Sequence, residues 1–339
     1  MLGQEMRGAD TSDTWIENPT SAIPKFKEML RPLCLMDPAN ILIAGVGGIG
    51  CAWAHQAYQR CEMGAHLALI DADDSSFQTG ETIHVLRLGH ALDSMGCAAL
   101  PPLAEQRMRG LSKITQKLLE KTELVILLTG LGGGVGTGAA HEFARQARQS
   151  GAIVLAVAGL PFEAQATRLA IAEEGFQRLE NIAHVTVRLS LDRLARQARE
   201  KGQNWQMGAE WIEDLVDGLV RTLMRMGLIN LDLMDLRAIV DQDGMATMLV
   251  GIGRPDDPRG ILESALKAPL AALDVGGAKG CLIQVEGGLG MTIGQVDTVA
   301  ELFTSALDDD AQVILGARVS EDLVDTIRVV TLLSGIQPS

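Results

Sequence analysis

Aromatic residues are scarce in this chain of 339 residues, at 3%. Its core must therefore be filled by Ala, Leu, Val, Ile and the 14 Met, in a sequence that is still 47% hydrophobic. Positive charge is also short. The chain holds 29 Lys and Arg against 43 Asp and Glu, a net charge of −14. Such a surface argues against nucleic acid and anionic lipid as general partners. It does not forbid an anionic nucleotide, because backbone N–H groups can bind phosphate locally. Cysteine is limited to Cys34, Cys51, Cys61, Cys97 and Cys281, an odd number with no C-x-x-C pair. A zinc site or a disulfide framework is not expected, no other metal site is assigned, and a reducing cytoplasm fits. No apolar run approaches the roughly 18–20 residues of a membrane span. The opening MLGQEMRGADTSDTW lacks the apolar core of a signal peptide.

What is present is alternation. ILIAGVG (41–47), HLALID (66–71), LVILLTG (124–130), AIVLAVAGLP (152–161) and HVTVRL (184–189) read as strands, with IHVLRLG (83–89) as a further candidate. Helical spacing predicts helices at about 48–63, 105–121, after the glycines to 149, and 164–179. Apolar strands alternating with helices are the signature of a parallel, Rossmann-like α/β sheet covered on both faces. A proline-free helical stretch at about 207–226 follows. The last third reads as strands at 245–253, 280–288, 311–319 and 326–333, with helices at 259–267 and 295–307. The expected organisation is a lead-in at 1–38 with a short helix at 24–33, then a larger α/β domain at 39–206. A central helix and acidic loop at 207–241 and a smaller C-terminal α/β domain at 242–336 complete it.

Two glycine loops carry the chemistry. Gly45-Val46-Gly47-Gly48-Ile49-Gly50 satisfies G-x-G-x-x-G between a strand and a helix, and Asp71 ends the next strand. By itself this is also compatible with a tight strand–helix turn. The loop Gly130-Leu131-Gly132-Gly133-Gly134-Val135-Gly136-Thr137-Gly138 is more telling. So many glycines at a helix start cost about 1 kcal/mol each against Ala. A cradle of N–H donors for a di- or triphosphate gives them a purpose, with Thr137 able to cap the helix and donate to phosphate.

GGGVGTG resembles the GGGTGTG signature of the FtsZ/tubulin GTPase superfamily. The likeness extends over about residues 40–336. It includes Pro161-Phe162, the run Ala172–Gly175, LLSGI (332–336), and GLINLDLMDLRAIV (227–240), which is similar to the FtsZ loop G-L-x-N-x-D-x-x-D. The resemblance implies GTP or GDP with magnesium, held by Gly47, Gly48, Gly50, Cys51, Asp71, Asp73, Gly133, Gly134, Gly136, Thr137 and Gly138. It adds Glu163 and Arg168 at the ribose side, and Trp205 and Ala209 at the base.

Asn230, Asp232 and Asp235 form the second constellation. Without the family they could simply cap a helix and favour its dipole. A helix of about 20 residues spans roughly 30 Å. With the nucleotide near its start, these carboxylates lie far from it and could reach only the nucleotide of a neighbour stacked head to tail. Such a heterologous contact propagates into open filaments. The resemblance implies that arrangement: Asp232 and Asp235 act on the water and cation of the adjacent subunit, Asn230 orients the loop, and hydrolysis follows assembly.

The sequence also departs from the family. Ile49, Cys51 and Ala52 replace Gly and Asn, Asp71-Ala72-Asp73 replaces N-T-D, and Gly96-Cys97-Ala98-Ala99-Leu100-Pro101 replaces G-A-G-x-N-P. Val135 replaces Thr, and Leu191 stands where an Asn reads the base. Three readings follow. The first is a filament-forming GTPase of cell division or membrane remodelling, reaching membranes only through adaptors. The second is a divergent structural paralogue with little or no turnover. The third is a Rossmann-type enzyme using NAD or ATP at the first loop alone.

Overall fold

The computed structural model describes residues 41–61, 64–77, 83–89, 97, 99–206, 209–270 and 275–337. The predicted helix at 24–33 lies outside them, as do Gly96 and Ala98. The first part of the chain runs β1 (Ile41–Val46), α1 (Gly47–Arg60), β2 (His66–Asp71), β3 (Ile83–Arg87), α2 (Pro101–Gly110) and α3 (Ser112–Leu119). It continues β4 (Leu124–Gly130), α4 (Gly134–Gln149), β5 (Ile153–Leu160), α5 (Ala166–Glu180), β6 (Val185–Ser190) and α6 (Leu191–Glu200). The strands lie in the order β3-β2-β1-β4-β5-β6, all parallel.

Alternation along each strand builds two cores. Ile43, Leu69, Ile126 and Leu155 belong to one, with Trp53 of α1. Leu42, Ala68, Val125 and Val154 belong to the other, with Met108, Phe143 and Phe176 of α2, α4 and α5. The helix expected at 105–121 is two helices. It starts earlier, where Pro101 and Pro102 suit a first turn, and it breaks at Gly110 and Leu111. Helix α6 was not anticipated, although Ser190 caps it and Leu191, Leu194, Ala195 and Ala198 mark its buried face.

The second part runs α7 (Glu210–Met224), α8 (Leu233–Val240), β7 (Met245–Gly253), α9 (Pro258–Leu266), β8 (Gly280–Gly287), α10 (Ile293–Thr304), β9 (Gln312–Val319) and β10 (Ile327–Ile336). Its sheet has the order β7-β10-β8-β9, with β10 antiparallel to both neighbours. Helix α7 lies between the sheets. Its Ile212, Leu215, Val216 and Leu219 share one core with Ile126 of the first sheet and with Val250, Leu282 and Val330 of the second.

The central helix is shorter than predicted, 15 residues and about 22 Å. The chain turns extended at Arg225. Gly227 then runs against β9, where a Cβ would lie 2.5 Å from the Ala317 carbonyl, and Ile229 bridges to Ala317.

Charge is buried beneath α7, where the sequence reading placed none. Arg328 reaches Asp217 at 2.9 Å and Glu286 at 2.5 Å, and Arg318 also bonds Glu286. Arg221 joins Asp217 at 2.7 Å to Asp322 at 2.8 Å, and Arg60 of α1 meets Asp214 at 2.6 Å. Burial pushes the Asp214 carboxyl up to about 6, against the pull of Arg60 and Arg328. The folded state thus holds this proton more tightly than the unfolded chain. The associated stability is present below the ordinary Asp value and is lost as pH rises through 6. Urea midpoints between about pH 4 and 7 are expected to fall in the wild type relative to Asp214→Asn.

Candidate nucleotide site

The strand order reverses between β1 and β4, so a crevice opens beyond their C-terminal ends. Ligands of open α/β sheets bind at such a switch point. Both glycine loops lie there, one leaving β1 and the other β4. They touch: a Cβ on Gly47 (φ +75°) would lie 3.1 Å from the Gly136 nitrogen. Thr129, fully buried at the end of β4, ties them together. Its Oγ lies 3.1 Å from the carbonyls of both Val46 and Gly136 and donates to one at a time. The sequence reading missed Thr129; its signal was the lone hydroxyl in LVILLTG.

The glycines divide into two kinds. A Cβ on Gly50 would sit 2.4 Å from the Leu128 carbonyl, one on Gly136 2.0 Å from Gly130 O, and one on Gly138 1.9 Å from Pro101 O. Gly134 is closed by Cys97, Ala99 and Leu100. These buried positions are glycine because backbone meets backbone. Gly48 and Gly133 differ. Gly48 is exposed and Gly133 half-buried, and a Cβ on Gly133 would meet nothing within 4 Å. Each stands at the start of a helix with no side-chain cap and no acidic residue in its first turn. Two uncapped N-termini side by side present N–H donors and the positive ends of two dipoles. Thr137 points inward instead, its Oγ accepting from Gly132 N at 2.9 Å.

The acidic residues beside this crevice are bonded to their own chain. Asp71 accepts from Ser76 Oγ at 2.5 Å and from Ala72 N at 2.7 Å, and burial raises its pKa. Asp73 turns away to cap the short turn Asp74–Ser76 through Ser75 N at 3.0 Å. Those bonds relieve the repulsion that an extra carboxylate brings to a phosphate site. Cys51 is buried with its thiol toward the Gly45 and Ile70 carbonyls, and burial, then Asp71, pushes its pKa to about 12. Arg168, in the first turn of α5, bonds the Gly132 carbonyl at 3.2 Å, and Glu163 is exposed on the connection that precedes this helix.

The residues expected at the base side, Trp205 and Ala209, lie just ahead of α7. Trp205 and Ala209 line a cleft of about 580 Å³ between α6, α7, β7 and α9, with no glycine-loop residue in its wall. Trp205 meets Phe162 edge-on at 5.4 Å, and its carbonyl accepts from Trp53 Nε1 at 3.0 Å. Ala209 is the buried N-cap of α7. Glu210 is bonded to Lys201, and Leu191 is buried.

The acidic loop lies at the other pole. Arg237 of α8 donates to the Gly151 carbonyl at 3.1 Å, just before β5 begins. Leu233 and Met234 border a hollow of about 390 Å³ with residues 120–123 and 150–151, ahead of β4 and β5. The seven residues of β4, about 23 Å, separate this pole from the glycines. Asp232 caps α8 through the N–H groups of Met234 (2.7 Å) and Asp235 (2.9 Å), and Asp235 Oδ2 accepts from Asp232 N at 2.9 Å. Asn230 accepts from Gly227 N at 2.6 Å. The cap uses Oδ1 of Asp232 and Oδ2 of Asp235; the other oxygens take no part in it. Met226, Leu228 and Met234 around them are exposed apolar residues.

Comparison with known proteins decides the family. Residues 40–199 match the Tubulin/FtsZ family GTPase domain, and residues 244–337 match the FtsZ family C-terminal domain. Cell division protein FtsZ 1 of Archaeoglobus fulgidus is 33% identical over 304 residues, covering 88% of this chain and 82% of its own. The chain belongs to the FtsZ/tubulin family. Among solved structures, an empty FtsZ dimer of M. jannaschii superposes with a TM-score of 0.78 at 29% identity, covering 93% of each chain. CetZ2 from Haloferax volcanii, a GTPγS-bound protofilament, shares the fold with a TM-score of 0.71 at 17% identity, covering 88% of this chain and 94% of its own. Among the described residues of this FtsZ-family chain, no helix is long and apolar enough to cross a membrane, and no group of three His, Cys, Asp or Glu could hold a metal.

Proposed function

We propose that this chain is a cytoskeletal GTPase of FtsZ type. It binds GTP at the paired glycine loops, assembles head to tail, and completes each nucleotide site with the acidic loop of the next copy. The observation that carries this reading is polarity: two uncapped helix starts at one end of the parallel sheet, and Asn230, Asp232 and Asp235 at the other. The crevice fits a polyphosphate because Gly48 and Gly133 leave it open and the nearby carboxylates are engaged elsewhere. Bound GTP supplies the phosphoanhydride bond. Gly48, Gly133 and their neighbours hold its phosphates, while Asp232 and Asp235 orient the attacking water by position and charge. Magnesium bound with the nucleotide offsets phosphate charge. The exposed Met226, Leu228 and Met234 give the acidic pole an apolar rim that assembly would cover. The CetZ2 protofilament offers a precedent for such assembly within the fold. Cell division is the setting that the names of the FtsZ relatives suggest; a cytoplasmic location with membrane contact through adaptors is part of the proposal.

A second reading, a paralogue of weak turnover, is favoured by the base side. Leu191, where the resemblance places a base-reading Asn, offers no side-chain hydrogen bond. Each missing bond weakens binding by about 0.5–1.5 kcal/mol and blurs guanine selection. Light scattering with GTP and magnesium separates the two. Rapid, reversible, GTP-dependent scattering is expected; the same trace with and without GTP would favour the paralogue. A protein that instead releases NAD or AMP on denaturation would overturn both.

A further inference from the structure

Behind the second glycine loop lies a buried polar cluster that the nucleotide chemistry does not use. His141 is 3% exposed on α4, one turn after Thr137. Its Nε2 lies 2.7 Å from Arg178 Nη2 of α5, and its Nδ1 lies 3.3 Å from the Thr137 carbonyl. A guanidinium only donates, so Nε2 accepts, and the proton of the neutral ring sits on Nδ1 and is donated to Thr137 O. The same Arg178 nitrogen donates to Glu105 Oε2 of α2 at 2.8 Å, and that oxygen is 3.3 Å from His141 Nε2. One Arg thus joins two acceptors on two helices.

The cluster is linked to the cradle at two points. Thr137, whose carbonyl His141 holds, accepts from Gly132 N. Gly138 lets α4 touch Pro101, the first residue of α2, and Gly134 packs on Ala99 and Leu100 just ahead of it.

We propose that His141 is a positioning residue for the glycine cradle and a proton-sensitive joint between α4, α2 and α5. With the ring neutral, Arg178 bridges Glu105 and His141, and the cradle and the 99–101 segment are held as one body. A proton taken from solvent at Nε2 turns that acceptor into a donor. It then repels Arg178 and bonds Glu105 directly, so Arg178 leaves. Arg109 from α2, with Glu142 and Arg145 from α4 itself, also faces the cluster. Arg109 bonds Glu105 on its own helix and also Glu142 at 3.3 Å, so it still pins α2 to α4 after Arg178 leaves, and loss of the joint loosens the cradle without unfolding it. Burial, followed by the Arg178 charge, keeps His141 below its ordinary value, against Thr137 O and Glu105. The neutral joint therefore persists at pH 7 and is lost on acidification.

This inference rests on the nucleotide reading, and its test separates the two. Affinity for a fluorescent GTP analogue is measured from about pH 7.5 to 5.5 for wild type, His141→Phe and His141→Gln, with melting curves of each. The titration of the phosphate itself acts on all three alike. His141→Phe is expected to bind about three- to tenfold more weakly at pH 7.5, as the loss of one or two hydrogen bonds would give. His141→Gln, whose carbonyl can accept from Arg178 but cannot be protonated at these pH values, is expected to restore most of the affinity and flatten the acid decline. A His141→Gln protein with the pH profile of the wild type would overturn the proposal, even if the Phe variant failed to fold. A wild type that bound no nucleotide at any pH would instead sink the function proposed above.

Discussion

Arg328→Ala is expected to lower the unfolding free energy by about 3–5 kcal/mol, because it leaves Asp217 and Glu286 buried without their shared partner. The side chain spans three elements: its own strand β10, Glu286 on β8 and Asp217 on α7. Arg318 still meets Glu286, and Arg221 still meets Asp217, so both carboxylates are left half-compensated. Total stabilities of about 5–15 kcal/mol make such a loss a large fraction of the whole. Chemical denaturation of the two proteins at neutral pH measures it. A difference below about 1 kcal/mol would mean that water reaches this network in solution.

Asp235→Asn is expected to leave folding and nucleotide affinity close to wild type and to reduce GTP turnover by about 10²–10³-fold, the size of effect seen when one preorganised electrostatic group is removed. The amide oxygen can still accept from Asp232 N, so the cap of α8 survives. Only the charge is lost. Turnover per subunit, measured above the concentration at which scattering appears, is the readout. A fall in nucleotide affinity of the free subunit would place Asp235 beside its own nucleotide and contradict the 23 Å separation.

How much of this was legible in the sequence depended on the range of the forces involved. The strands of the first sheet were readable because a sheet buried on both faces needs continuous apolar runs, as in LVILLTG. The glycine loops were readable because a cluster of glycines at a helix start is costly and must have a cause. Their division of labour was not. Gly136 and Gly138 look like Gly133 in sequence, yet only the fold reveals which face a carbonyl and which face open space. The buried ions Asp217, Glu286, Arg318 and Arg328 come from four separate elements, and no local pattern announces such a meeting. Helix α7 ended early for a tertiary reason, the approach of Gly227 to β9. Trp205 was assigned to the base side by resemblance; its edge-on packing against Phe162 and its place in the cleft beside α7 could not be read from the sequence. Asp232 and Asp235 form the capping box of α8, the structural role that their place before a helix allowed; their role toward a neighbour's nucleotide is the proposal.

The most direct test of the two-pole account is a mixing experiment. Gly133→Glu has open space for its side chain and places a carboxylate where phosphate would rest; it keeps an intact acidic loop. Asp235→Asn keeps an intact cradle. Each protein alone is expected to turn over little GTP. Mixed in equal amounts, they are expected to regain turnover, because a cradle from one meets an acidic loop from the other. A mixture no more active than its two components, with both still co-assembling, would contradict the account.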